Sequence, residues 1–287
     1  MSRPPRIEFP GACYHVTGRA PTGRKSFKDR TDYRAFLNVL DSVAARFGWL
    51  IHSYALLENH YHVVVEVPHS NLSRGMRQLN GVYTQHYNRR HLGEGPVFRG
   101  RFKSIVFEKD LYLLAICRHV LLNPLRISGQ ASLEKYRFSS YLAMIGEVSS
   151  PDFLHRDTVL QSFSADLEKA EARWKKFVAD GQQADSPLAG RSNQVLLGSE
   201  QFVDRLQTLM KNSRKAKQAP KRQNRRKSLR VLFRHVANQS KTKRNALIKQ
   251  AHLQYDYTLI EIGSFLGLHY TTVSKVVNAD HQKLGKI

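Results

Sequence analysis

The chain has 287 residues, with 46 Lys+Arg against 23 Asp+Glu, a formal net charge of +23. Such an excess of cation fits a polyanionic partner, nucleic acid first and an anionic membrane second. No apolar run reaches the roughly 18–20 residues of a membrane helix. No apolar leader follows the N-terminus, and the two cysteines, Cys13 and Cys117, cannot build a disulfide framework. The length suits two domains and a sizeable core.

Residues 11–19 read as a first strand and 21–28 as a polar, basic loop. Tyr33, Phe36, Leu37, Leu40, Val43, Ala44 and Phe47 recur at helical spacing, which predicts a helix over 31–47. Thr31 or Asp32 offers its N-cap, and Gly48 follows its last periodic residue. Residues 49–57 and 60–67 read as two strands joined by a turn at Glu58-Asn59, the second ended by Pro68. A second helix is expected over 72–90, capped by Ser70 or Asn71, with a stripe of Met76, Leu79, Val82, Tyr83 and Tyr87. Gly81 lowers its helix propensity by about 1 kcal/mol, which a close packing contact would explain.

Residues 91–97 form a loop. Residues 98–107 then alternate, Arg99, Arg101 and Lys103 against Phe98, Gly100 and Phe102, as in a strand or extended loop with a basic edge. A third helix opens at Asp110 and is closed by Asn123-Pro124. The first six elements, β-α-β-β-α-β, match a ferredoxin-like split βαβ arrangement, an antiparallel sheet with helices on one face. The expected class is α+β, followed by an all-α C-terminal region.

Residues 136–145 are expected to pack back onto this domain, 151–178 to be helical and amphipathic, and 181–192 to be a polar linker. Residues 211–227 contain no acidic side chain. They read either as a solvated segment touching phosphates without sequence choice, or as a plain basic linker. Residues 257–277 predict a short helix with Leu259, Ile262, Phe265 and Leu266 inward, a turn at Gly267-Leu268, and a second helix with Val273, Val276 and Val277 inward. This is a helix-turn-helix pattern, or else a small helical packing module. As the former it would place the second helix in a major groove, with His269, Tyr270, Thr271, Thr272, Ser274 and Lys275 facing DNA. The expected regions are 1–148, 149–227 as helical connector and basic linker, and 228–287.

His60 and His62 share one face of a strand, because successive side chains alternate. Two such imidazoles either ligate one divalent ion or are two satisfied core histidines. Arg89, Arg90, Arg99, Arg101 and Lys103 are candidate phosphate contacts, against a reading as solvated basic surface. Tyr83 and Tyr87 read as core or base-stacking residues.

Several separated motifs resemble the single-tyrosine HUH transposases, the IS200-like and REP-associated group. They are Glu8-Phe9-Pro10-Gly11-Ala12-Cys13-Tyr14-His15-Val16-Thr17, Asn59-His60-Tyr61-His62, the run from Ser73 to Thr84, the run from Phe98 to Ser104, and Asn123-Pro124. The resemblance implies DNA transposition and recombination chemistry. His60 and His62 would hold Mg²⁺ or Mn²⁺, with Asn123 completing the site and no nucleotide cofactor. A tyrosine one helical turn before Asn123 would attack a phosphate of structured single-stranded DNA and become joined to its 5′ side. The expected partners are hairpin or repeat DNA and, through the C-terminal helices, duplex DNA. The expected setting is the cytoplasm, at the nucleoid.

This sequence has His119 at the tyrosine position. Three readings follow. The chain is a nicking-deficient, DNA-binding or regulatory relative; or Tyr112 substitutes, although it lies roughly 10 Å up the helix axis; or His119 itself attacks phosphorus or joins His60 and His62 around a softer ion such as Zn²⁺. An RNA-binding sheet is a further class, and it would present exposed aromatic pairs where this sequence has paired histidines.

Overall fold

A computed structural model describes residues 6–129, 132–190, 195–218, 227–234, 240–255 and 257–278. The chain divides into two compact units, Met1–Lys211 and Asn212–Ile287. In the first, strands β1 (Ala12–Arg19), β2 (Leu50–Leu57), β3 (His60–Val67) and β4 (Lys103–Phe107) alternate with helices α1 (Arg30–Phe47), α2 (Leu72–His91) and α3 (Lys109–Ser128). The sheet order is β2-β3-β1-β4, every pair antiparallel, which is the ferredoxin-like order the sequence pattern predicts.

The strands sort their side chains onto two faces. Tyr61 points to α1 and α2, where its ring lies 4.8 Å from that of Phe36 and its hydroxyl donates to Asn80 Oδ1 at 2.9 Å. His60 and His62 therefore point the other way, toward α3, which packs on β2 and β3. Two helices thus cover one face as expected, and α3 covers the other. Gly75 lets α2 approach the sheet side closely, since a Cβ there would sit 2.1 Å from the Trp49 ring. Gly81, where the sequence suggested a close contact, has nothing within 4 Å of that position.

Local chemistry moves several boundaries. Asp29, not Thr31 or Asp32, caps α1, because its carboxylate accepts from the Thr31 and Asp32 amides. Gly48 ends α1 in the left-handed region at φ 67°. The basic stretch is a strand only from Lys103. Phe98 turns into the aromatic cluster with its ring 5.2 Å from Tyr61, and Gly100 at φ 67° bends the chain before β4 begins. Asn123-Pro124 does not close α3, which runs on to Ser128 and ends at Gly129. Pro124 has no N–H for the Val120 carbonyl. The Asn123 amide supplies donors instead, to His119 O at 2.8 Å and Val120 O at 3.3 Å.

Beyond α3, Phe138 accepts from the Leu56 amide and Ser139 bridges to Ala55, so this segment packs back on β2 as expected. It carries the turn α4 (Tyr141–Met144). Residues 151–178 are not one helix but the turn α5 (Asp157–Leu160) and the helix α6 (Leu167–Asp180). Trp174 and Val178 of α6 are buried in the first unit's core. A two-residue strand, β5 (Leu196–Leu197), extends the sheet parallel to β4, and α7 (Glu200–Gln218) follows. Of the basic segment 211–227, residues 211–218 are therefore helical and 219–226 lie outside the described residues.

The second unit holds the turn α8 (Leu229–Leu232) and helices α9 (Lys241–Leu253), α10 (Leu259–Leu266) and α11 (Tyr270–Asn278). Phe233, Ile248, Ala251, Ile262 and Val273 are its buried core. Thr258 and Glu261 form a reciprocal capping box at the start of α10. Gly267 at φ 67° turns the chain into α11. Phe265, expected inward, is 41 % exposed. Among the described residues no helix is long and apolar enough to cross a membrane.

Candidate metal and nucleic-acid site

Register places the site residues. His62 lies opposite Thr17, which lies opposite Lys103, so Lys103, Thr17 and His62 form one row on the α3 face. His60 lies opposite Arg19 in the next row. His15 on β1 faces Val64 and is therefore a diagonal neighbour of His62 on the same face. His119 comes down from α3, its ring 6.1 Å from that of His15 and perpendicular to it. Four imidazoles thus gather where the sequence singled out three.

Each of the paired histidines has one ring nitrogen held and one free. His60 Nδ1 lies 2.5 Å from Asn59 Oδ1. Since a carbonyl oxygen only accepts, Nδ1 carries the proton and Nε2 keeps its lone pair. His62 Nδ1 lies 2.9 Å from His15 Nε2, and His62 Nε2 is buried without a partner. Metal-ligating histidines characteristically donate their second N–H to a fixed acceptor, as His60 does to Asn59 Oδ1. His15 Nδ1 and His119 Nδ1 are also buried and unpartnered.

All four rings are neutral at pH 7. Burial pushes His15 down to about 3, with His119 adding to it. Burial, and then the Arg19 charge, lower His60 to about 4. Burial, followed by Arg126, lowers His119 to about 4. His62 lies well below 6.5, from burial first and then its neighbours His15, His60 and His119. Neutral imidazoles with free Nε2 atoms are competent ligands, so His60 and His62 fit a divalent ion.

The remaining candidates are placed unevenly. Asn123 is buried, and its amide group is turned to its own helix backbone. Tyr112 is half-buried on α3 and packs on the core. Among the described residues no tyrosine ring pairs with any of the four histidines. Arg89, Arg99, Arg101 and Lys103 are exposed. Arg90 instead binds Asp29 at 2.6 Å and the buried Asp32 at 2.7 Å, joining α2 to α1. In the second unit, His269, Tyr270, Thr271, Thr272 and Lys275 are exposed and Ser274 is half-buried, while Val273 is fully buried beneath them.

Two neighbours of the histidine pair escaped the sequence reading, His15 and the exposed Arg19. The alternation of β1 would have put both on one face. Their nearness to His60 and His62 depends on strand pairing, which one strand alone does not encode.

A second group lies farther along the same face. Cys13, His52 and Glu66 are the one set of three His, Cys, Asp or Glu ligand atoms within 4.8 Å of one another among the described residues. His52 is the extra residue of a bulge between Ile51 and Ser53, which turns it to Glu66. Glu66 Oε2 is already shared by His52 Nε2 at 3.0 Å and Lys109 Nζ at 2.7 Å. Burial, chiefly, raises the Cys13 thiol to about 12, so it is protonated. The arrangement is an ion-pair network that holds its own cation.

Residues 9–118 match the protein family described as "Transposase IS200 like", so the resemblance carried by the motifs holds over that stretch. The match ends one residue before His119. A solved structure described as "Structure of the REP associates tyrosine transposase bound to a REP hairpin" is similar at 16% identity and TM-score 0.46. The similarity covers 53% of this chain and 89% of that one. No curated protein matches the chain.

Proposed function

We propose that the first unit binds structured single-stranded DNA of hairpin or repeat type, placing a backbone phosphate at His60 and His62. The observation that carries this reading is the pair of neutral imidazoles with free Nε2 atoms, flanked by the cationic Arg19 and Lys103. A Mg²⁺ or Mn²⁺ ion held by His60 and His62 would polarise the phosphate as a Lewis acid. Arg99 and Arg101, with Arg89 farther along α2, would bind neighbouring phosphates without choosing sequence. Helix α11 would add duplex binding through His269, Tyr270, Thr271, Thr272, Ser274 and Lys275.

The chemistry differs from that of a tyrosine enzyme. His119 stands one helical turn before Asn123, and no tyrosine ring pairs with the histidines among the described residues. The reading is therefore a DNA-binding relative that makes no tyrosyl adduct. Three imidazoles around a zinc ion fit less well, since the ring nitrogens of His60, His62 and His119 do not all lie within 4.8 Å of one another.

Competition binding among hairpin single-stranded DNA, duplex DNA and RNA tests the reading, with the full chain and with or without Mg²⁺. Hairpin DNA should bind tightest, and His60→Ala/His62→Ala should remove the Mg²⁺ effect. Tighter binding of RNA, or a covalent 5′ adduct mapped to Tyr112, would overturn it.

A further inference from the structure

His15 lies outside every motif role given above, yet it hydrogen-bonds one member of the histidine pair. Its Nε2 is 2.9 Å from His62 Nδ1. The ring planes differ by 4° and the centroids are 5.1 Å apart. Two coplanar imidazoles sharing one N–H···N bond edge to edge have centroids roughly 5 Å apart, from the ring size and a normal donor–acceptor distance. The geometry is therefore a hydrogen bond in both ring planes, not a face-to-face stack.

One proton lies between those nitrogens, and the two ways of placing it differ in consequence. With the proton on His62 Nδ1, the neutral His62 ring leaves Nε2 as a bare lone pair. With the proton on His15 Nε2, the neutral His62 ring must carry its own proton on Nε2, where it blocks ligation. Both rings are buried, at 3% and 8% exposure. When His62 Nδ1 donates, the neutral His15 ring carries its own proton on Nδ1, which is buried without a protein partner just as His62 Nε2 is. The protein's contacts therefore weigh the two placements alike, and a metal ion, which needs a bare Nε2, selects the first. Rigid strand pairing holds the acceptor in place, because His15 and His62 sit on adjacent antiparallel strands in fixed register.

We infer that His15 is a positioning residue that accepts the His62 Nδ1 proton and so presents His62 Nε2 to the metal ion. On β3, His60 receives the same service from Asn59 Oδ1. The two ligands are thus oriented by different means, one by a neighbouring amide and one by an imidazole of another strand. The inference deepens the metal-site reading and rests on it for its purpose, though not for the hydrogen bond itself.

The test uses the full chain and two variants, His15→Leu, which cannot accept, and His15→Gln, whose amide oxygen can. Mn²⁺ affinity is measured by calorimetry, and the His62 tautomer by long-range ¹H–¹⁵N NMR with Mg²⁺. Wild type should show His62 protonated on Nδ1. His15→Leu should lose about 10–100-fold in Mn²⁺ affinity, as lost outer-shell partners of a metal ligand commonly do. His15→Gln should regain most of it. A His15→Leu chain that keeps its Mn²⁺ affinity, or a Mg²⁺-loaded wild type with His62 protonated on Nε2, overturns the inference. If wild type binds no Mn²⁺, the metal reading fails by itself. The tautomer then decides the inference alone: Nδ1–H in wild type, lost in His15→Leu but kept in His15→Gln, sustains it, and an unchanged tautomer in both variants sinks it.

Discussion

Lys109 Nζ lies 2.7 Å from Glu66 Oε2, so the first residue of α3 is tied to the strand that carries His60 and His62, six and four residues earlier. The same carboxylate oxygen also holds His52 at 3.0 Å. This contact fixes where α3 starts along β3, and hence where His119 meets the sheet. Removing the ammonium leaves the carboxylate oxygen with His52 as its one remaining partner. Lys109→Met should lower stability by about 1–2 kcal/mol, below the cost of breaking a fully buried pair because the lysine is 36% exposed. Urea unfolding of wild type and variant measures it, and an unchanged midpoint would mean that the pair is only a surface contact.

Acid should act on this unit in two windows. The four histidines have folded values below 6.5, so from about pH 6.5 downward the unfolded chain takes up protons that the folded chain refuses. Stability is therefore lost as pH falls through that range toward 4. Glu66 behaves as a depressed acid, held down to about 2 first by the His52 hydrogen bond and then by Lys109 against its own burial. Its contribution is complete above about 4.5 and lost toward 2. Thermal unfolding from pH 7.5 to 3 should show a decline beginning near neutrality. A melting temperature flat down to pH 5 would contradict burial of uncharged rings.

The ferredoxin-like order was legible because α1 and α2 carry a helical period, because β3 is an apolar, β-branched run, and because Gly48 and Pro68 punctuate them. The His60/His62 face was legible from alternation alone. Three things were not. The length of α3 depends on Asn123 replacing a donor that Pro124 lacks, a side-chain repair invisible to a rule that ends helices before proline. The loss of strand structure before Lys103 depends on Phe98 finding an aromatic cluster built by other elements. The role of His15 depends on strand register, since an isolated histidine in a strand reads the same whether or not another imidazole lies diagonally opposite.

Restoring the missing hydroxyl separates lost chemistry from a lost site. His119→Tyr places a phenol on α3 beside His15, one turn before Asn123. If the metal pair and the strand surface are intact, this variant should form a covalent adduct with hairpin DNA in Mg²⁺ or Mn²⁺, while wild type forms none. His119→Ala should bind the hairpin within about threefold of wild type, because surface cations supply most of the affinity. Denaturing gels with end-labelled DNA read both outcomes. An adduct in wild type that vanishes in His119→Ala would make His119 the nucleophile and retire the nicking-deficient reading.

The second unit offers a test in which backbone approach and helix propensity oppose each other. Gly263 lies in α10, where alanine would favour the helix by about 1 kcal/mol. A Cβ there, however, would sit 2.6 Å from the Leu268 carbonyl oxygen, in the turn that leads into α11. Backbone must give way, and overpacking of this kind costs about 1–3 kcal/mol. Gly263→Ala should therefore destabilise α10 and α11 despite the better helix former. Hydrogen exchange of the full chain should show faster exchange in those helices and unchanged protection in β1 and β3. Duplex binding should weaken with it.

Lys275→Ala asks a narrower question, because Lys275 is exposed on α11 and its removal disturbs no core residue. Loss of one phosphate contact should weaken duplex binding about equally across sequences and reduce the salt slope by about one. Thr271→Ala or Thr272→Ala should instead change the preference among sequences if α11 lies in a major groove. Filter binding to a duplex library at several salt concentrations distinguishes the two patterns. Equal affinity of all three variants for every duplex would show that α11 is a packing helix and that duplex recognition is not its task.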